Sequence, residues 1–193
     1  MKHLPIIVDK IDFFGDREYL YNFIINQHLN FKYNPNIYPD QEITGYSFPA
    51  KDTPGKDFAR IYNRLIQKAY KHFPNLILSA DNSNQCWCNC TSREDHRSTP
   101  HLTPHDHVKS ADINSVYYFY KTDDEGERDG AIAFYEPTKD GSIREIGFYK
   151  PKQDEVIFMP NWLIHSPLLT NSKKYRISIN MEIKAEHLYA EKI

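Results

Sequence analysis

The chain changes its hydrophobic period near residue 80: before it, apolar residues recur at helical spacing, and after it they alternate as strands do. The clearest helix lies in "GKDFARIYNRLIQKAYKHFP". There Phe58, Ile61, Tyr62, Leu65, Ile66, Ala69, Tyr70 and Phe73 form one stripe, and Pro74 ends it. A second helix is predicted over 16–29, with Asp16 as N-cap and Leu20, Phe23 and Ile24 facing inward. Residues 3–14 read as extended. Residues 30–54, rich in Pro, Asn and Asp, read as loop with one edge strand near "ITGYSF".

Beyond residue 80, short strands are predicted at 85–90, 114–120, 131–137, 143–149, 155–160 and 175–183, separated by polar turns such as "TKDGS" and "LTNSKK". Helices followed by six or more strands imply a mostly β fold, a sandwich or jelly roll carrying a helical flank. No repeat or linker divides it. One domain over 1–193 is therefore expected, with a helical N-terminal layer to about residue 80 and a β core over about 81–185.

The last strand separates two kinds of residue. Ile177, Ile179, Met181 and Ile183 fall on one face, and Arg176, Ser178, Asn180 and Glu182 on the other. The apolar face should meet the helices, and the polar face should look into the sandwich. An arginine aimed there requires an anion, either a buried carboxylate or a bound ligand.

Composition narrows the function classes. Hydrophobic residues make up 40% and aromatics 14%, enough for a packed core and against general disorder. The formal net charge of −2, with both signs interspersed, leaves no basic stripe, so a nucleic-acid partner is not expected. The N-terminal apolar run is broken by Asp9, Lys10 and Asp12, too short and charged for a signal peptide or membrane span. A soluble, cytoplasmic protein is expected.

Cys86, Cys88 and Cys90 are odd in number and close in sequence, which is no disulfide framework. Their alternation puts all three thiols on one strand face, as small core residues. The rival reading is zinc, because His96, His101, His105 and His107 follow closely; the spacing departs from the usual C-x2-C knuckle. His96 and His101 otherwise read as solvated loop residues or substrate-side contacts.

The pair in "TPHDHVKSADINSVYYFY" carries more chemistry. Histidines at i and i+2 project to the same face of an extended chain, so His105 and His107 can share one metal while Asp106 points away. A third ligand, His165, lies in "FMPNWLIHSPL", and the turn "TNSKK" separates it from Arg176. If that turn closes a hairpin, His165 and Arg176 stand on adjacent strands, roughly 7–8 Å apart. Such a gap suits a short dicarboxylic acid, held by a metal at one end and the guanidinium at the other.

These residues resemble the iron(II)- and 2-oxoglutarate-dependent oxygenases, whose fold is a double-stranded β-helix, or jelly roll. The resemblance covers about residues 85–183 through "HDH", "SVYYFY", "GAIAFYEP", "DEVIFMPNWLIHSPL" and "RISINM". It is prolyl-hydroxylase-like and is nearest to short oxygenases of bacteria and phages. It implies Fe(II) held by His105, His107 and His165, with 2-oxoglutarate and O2 as co-substrates. Arg176 would grip the distal carboxylate, with Ser178 and the Tyr118 hydroxyl beside it. Tyr117 would face the other way, and Trp162 would pack. The substrate, a protein side chain or a small molecule, would be hydroxylated with release of succinate and CO2.

One departure matters. The superfamily usually writes a carboxylate where this chain has His107, so the iron site gains one positive charge, which should shift metal preference and redox potential. Asp106 and Asp112 are alternative carboxylate ligands if the strand is irregular. Two other function classes fit the same pattern: a cupin-like metal-dependent dioxygenase or isomerase without 2-oxoglutarate, and a non-enzymatic, zinc-stabilised jelly-roll binding module. Jelly rolls commonly pair, so a homodimer is a candidate state.

Overall fold

The computed structural model describes residues 4–33, 43–44, 53–79, 85–93, 103–122 and 126–187. Among them are two helices, α1 (Arg17–Tyr33) and α2 (Thr53–His72). Asp16 caps the first as expected: its Oδ1 accepts from Tyr19 N at 3.0 Å. Leu20 and Ile24 are fully buried on α1, and Phe58, Ile61, Leu65 and Ala69 on α2. The edges of both stripes are wetter than predicted. Phe23 is half-buried, and Tyr70, one step around the helix from Ala69, is exposed. Neither helix is long and apolar enough to cross a membrane.

The described strands are β1 (Ile7–Lys10), β2 (Ile43–Thr44), β3 (Ile77–Leu78), β4 (Gln85–Thr91), β5 (Ile113–Tyr120), β6 (Ile132–Pro137), β7 (Ile143–Tyr149), β8 (Glu155–Pro160), β9 (Ile164–Pro167), β10 (Arg176–Ile183) and β11 (Ala185–His187). A six-stranded sheet runs β1-β8-β5-β10-β4-β2, a three-stranded sheet β7-β6-β9, and β11 pairs β3. All pairings are antiparallel. The two larger sheets face each other as the jelly roll that the alternation implied, with the helices on the far side of the large one. Only Ile43 and Thr44 of the expected "ITGYSF" strand are described, and His96 and His101 lie outside the described residues.

Period-two alternation assigns each central strand to two cores. On β5, Tyr117 and Phe119 join the helices, while Val116 and Tyr118 join the small sheet; on β8, Val156 and Phe158 divide from Ile157 and Met159 in the same way. Ile177, Ile179, Met181 and Ile183 of β10 lie with Leu65, Ile61 and the three cysteines in the helix-facing core. Burial pushes the Cys86 thiol up to about 12 and holds Cys88 well above its ordinary value as well.

The expected hairpin between His165 and Arg176 does not form. Strand β9 pairs with β6 in the small sheet, and β10 lies between β4 and β5 in the large one. The "TNSKK" turn crosses between sheets, because β9 already uses one edge on β6 and bridges His105 on the other. A jelly roll closes through such crossings.

Candidate metal centre

The inner face of the large sheet presents Trp87 and Asn89 from β4, Arg176, Ser178, Asn180 and Glu182 from β10, and Asn114, Val116 and Tyr118 from β5. With β6 and β9 opposite, they enclose a cavity of about 440 Å³. Its sequence cause is the alternation of β10, which sends one residue in two away from the helices.

Three histidines stand at one end. His105 and His165 are joined by a two-way backbone bridge: His105 N donates to His165 O at 3.0 Å and His165 N to His105 O at 2.9 Å. His107 N donates to Asn161 O at 2.8 Å, so the whole "HDH" run is stitched to the segment carrying His165. The ring centroids lie 5.2, 4.7 and 5.2 Å apart, and one nitrogen from each ring falls within 4.8 Å of the others. His107 and His165 are buried, and His105 is half-buried.

The hydrogen bonds fix which nitrogen is free. Carbonyls and an ionised carboxylate can only accept, so the partners of all three Nδ1 atoms require Nδ1–H. His105 Nδ1 donates to Thr103 O at 2.8 Å, His165 Nδ1 to Leu163 O at 2.9 Å, and His107 Nδ1 to the Glu182 carboxylate at 2.5 Å. In each ring Nε2 is then the nitrogen not engaged by that bond. Among the described residues, His107 Nε2 is buried without a hydrogen-bond partner, and His165 Nε2 makes only a long 3.5 Å contact with Asn114 Nδ2. Burial, reinforced by the neighbouring rings, lowers His165 to about 3, and burial lowers His105 as well, so both stay neutral. Three imidazoles, each with one nitrogen within 4.8 Å of the others, fit a divalent transition metal.

The alternative carboxylates are each engaged by a backbone amide. Asp112 Oδ2 accepts from Ala185 N at 2.8 Å, tying the start of β11, and Asp106 Oδ1 accepts from Val108 N at 3.2 Å. Neither joins the cluster. The cysteines do not join it either, since they face the helices from the opposite side of β4. A zinc site uniting those thiols with His105 or His107 is thus blocked by the sheet itself. Trp162, expected to pack, is 58% exposed; it stands in the turn between β8 and β9, beyond both cores.

Arg176, Ser178 and Tyr118 all line the cavity, while Tyr117 points to the helices and donates to Asp154 Oδ1 at 2.8 Å. Arg176 is buried, and its Nη1 donates to Gly130 O. Burial raises the Tyr118 hydroxyl well above its usual value, opposed by the positive charge of Arg176, so it remains a neutral donor. Gly130 stands four residues before Phe134, the strand partner of His165. Arg176 and His165 therefore line one cavity from opposite sheets, not from neighbouring strands.

Sequence reasoning placed Glu182 on the inner face but gave it no task. It holds His107, and also accepts from Ser110 Oγ at 2.7 Å. Asn114, beside His165, was likewise missed.

Fold and site together define a jelly-roll protein with a three-histidine centre able to hold a metal. No protein-family model matches the sequence, nor does any curated protein. Solved structures do match. A prolyl 4-hydroxylase from Phytophthora capsici superposes with a TM-score of 0.60 at 12% identity, over 97% of this chain and 61% of that one. A Pseudomonas putida prolyl 4-hydroxylase gives 0.55 at 10% identity, over 95% and 89%. NgTET1, in a structure with 5mC DNA, gives 0.54 at 12% identity, over 96% and 74%. The chain spans less than two thirds of the Phytophthora enzyme's length. The likeness establishes the fold, which this chain shares with these prolyl 4-hydroxylases.

Proposed function

We propose that the chain is a non-haem Fe(II)- and 2-oxoglutarate-dependent dioxygenase that hydroxylates a protein side chain or small molecule and releases succinate and CO2. One observation carries the reading: three imidazoles bring one nitrogen each within 4.8 Å of the others at one end of a cavity whose other end holds a buried arginine. His105, His107 and His165 would hold the iron through Nε2. When bound, Fe(II) supplies the oxygen chemistry together with the keto acid, and that chemistry belongs to the cofactor.

The protein's part is to bind, orient and exclude water. Arg176 grips the distal carboxylate of 2-oxoglutarate through a charge-assisted pair, with Ser178 and Tyr118 donating beside it. Val116 and Ile132 give the cavity apolar walls between the two ends. The carbonyls of Thr103 and Leu163 keep two imidazoles in the tautomer that binds metal. No side chain needs to act as general base. Three buried cysteines outside any disulfide suit a reducing, cytoplasmic compartment.

A three-histidine set also suits a cupin-like dioxygenase or isomerase working without 2-oxoglutarate, or a binding module that keeps its metal for structure. Neither assigns a ligand to Arg176 at the far end. The test is an anaerobic titration of metal-free protein with Fe(II), with and without 2-oxoglutarate, followed in the visible spectrum. The reading expects a weak charge-transfer band only when both are present, lost in Arg176→Ala and in His165→Ala. Iron binding without a keto-acid band would hand the site to the cupin-like reading. Zinc binding without iron binding would leave the non-enzymatic module.

A further inference from the structure

The centre lacks the carboxylate that a two-histidine iron site carries, and the structure holds a carboxylate one bond further out. We propose that Glu182 supplies through His107 the negative charge that the ligand set itself lacks, making it a positioning residue of the metal centre. The inference rests on the metal reading above.

Glu182 is 6% exposed on the cavity face of β10. One oxygen, Oε1, accepts both from His107 Nδ1 at 2.5 Å and from Ser110 Oγ at 2.7 Å. Those two donors stand at the ends of one tight turn, closed by Ser110 N donating to His107 O at 3.0 Å. A single carboxylate oxygen therefore fixes the ring plane of His107 and the turn that leads into β5. Its strand partner is Asn114, which lies against His165, so one cross-strand pair touches both buried histidines. Burying a carboxylate on neutral donors alone is costly. A divalent metal on the far nitrogen of the same imidazole gives that charge its counterpart.

Electrostatics and geometry then make one argument. Three neutral imidazoles leave a divalent ion with its full charge, whereas a ligating carboxylate would remove one unit. Glu182 removes the same unit from the outer shell. It polarises the His107 N–H and makes Nε2 a stronger donor, as carboxylate–histidine–metal triads do. The other two imidazoles donate only to neutral carbonyls, so His107 is the ligand whose strength the protein has raised.

The test is calorimetric binding of Co(II) and Fe(II), under anaerobic conditions, to metal-free full-length protein without substrate or keto acid. Glu182→Gln keeps the acceptor for His107 and removes the charge. It should weaken both metals by about 10- to 100-fold, the usual cost of an outer-shell carboxylate. The companion is His107→Asp, which moves a carboxylate into the ligand position. In that background Glu182 becomes a like-charged neighbour, and adding Glu182→Gln should strengthen binding or leave it unchanged. This second pair also serves if Glu182→Gln alone fails to fold. Wild-type-like affinity in Glu182→Gln would overturn the inference, and so would an equal loss in both backgrounds, which would mean a purely structural role. If the wild-type protein bound neither metal, the metal reading itself would fall, and the inference with it.

Discussion

The two faces of β10 carry opposite kinds of order. Toward the helices, Ile177, Ile179, Met181 and Ile183 are each fully buried among apolar neighbours. Toward the small sheet, Arg176, Ser178, Asn180 and Glu182 are almost as buried, but they line a cavity. Around that cavity lie polar atoms without hydrogen-bond partners: His107 Nε2, Asn114 Oδ1 and Trp87 Nε1. A buried unpartnered polar atom costs free energy, so one face is built for packing while the other keeps polar groups on a cavity. The same strand thus separates an apolar core from a polar cavity, residue by residue.

That separation can be broken from either side. The largest effect is expected from His165→Ala, which removes the most deeply buried member of the histidine cluster proposed to hold the metal. Fe(II) binding should fall below detection in the titration, while the melting temperature of the metal-free protein stays level or rises. Next comes the packing face. Phe158 is 1% exposed between the helices and the large sheet, and Phe158→Ala should cost about 3–5 kcal/mol in denaturant unfolding. The metal affinity of the protein still folded should not change.

Arg176→Ala should be smaller. It should leave Fe(II) binding alone and weaken 2-oxoglutarate by roughly 10- to 100-fold, since a hydrogen bond to a charged group is worth about 1.5–3 kcal/mol. Equal loss of iron and keto acid would mean that the cavity is one cooperative unit rather than two ends.

The smallest effect concerns pH and the helix side. Asp9 on β1 accepts from Lys68 Nζ at 2.9 Å, Lys71 Nζ at 3.0 Å and His72 Nε2 at 2.8 Å, all on α2. Burial alone would raise its pKa, but these bonds and the Lys10 amide outweigh it and hold the carboxyl well below the usual range. A carboxyl depressed by folding stabilises the protein above its unfolded value, near pH 4, and that contribution is lost as pH falls through the folded value. Asp9→Asn should therefore lower stability at neutral pH and flatten the acid side of the stability profile. Metal binding should not notice it.

Much of this was legible along the chain, for identifiable reasons. The α2 stripe was clear because Phe58, Ile61, Leu65 and Ala69 recur within one element, where a helix needs no distant partner to fix its period. The two faces of β10 were legible because strand geometry admits only one alternation. So was the shared face of His105 and His107, and so was the core placement of the three cysteines. Trp162 was misread, because a large aromatic reads as core unless the fold shows that its turn stands outside both sheets.

Pairing was the failure. A short polar turn between His165 and Arg176 looked like a hairpin, yet β9 found its partner at β6 and β10 at β4 and β5. Turn length constrains reach, and it does not choose between two sheets facing each other across a core. Glu182 went unread for the same cause: its bond to His107 spans 75 residues, and nothing local marks it.

By itself, then, the sequence determined the elements, the face each residue takes, and the residue types offered to the cavity, because those follow from backbone periods of a few residues. Only the tertiary structure decided which strands meet. That put Arg176 and His165 on opposite sheets, tied Asp112 to the start of β11, and set a carboxylate behind His107. Contacts between residues far apart in the chain depend on how the whole chain closes, and no local pattern encodes them.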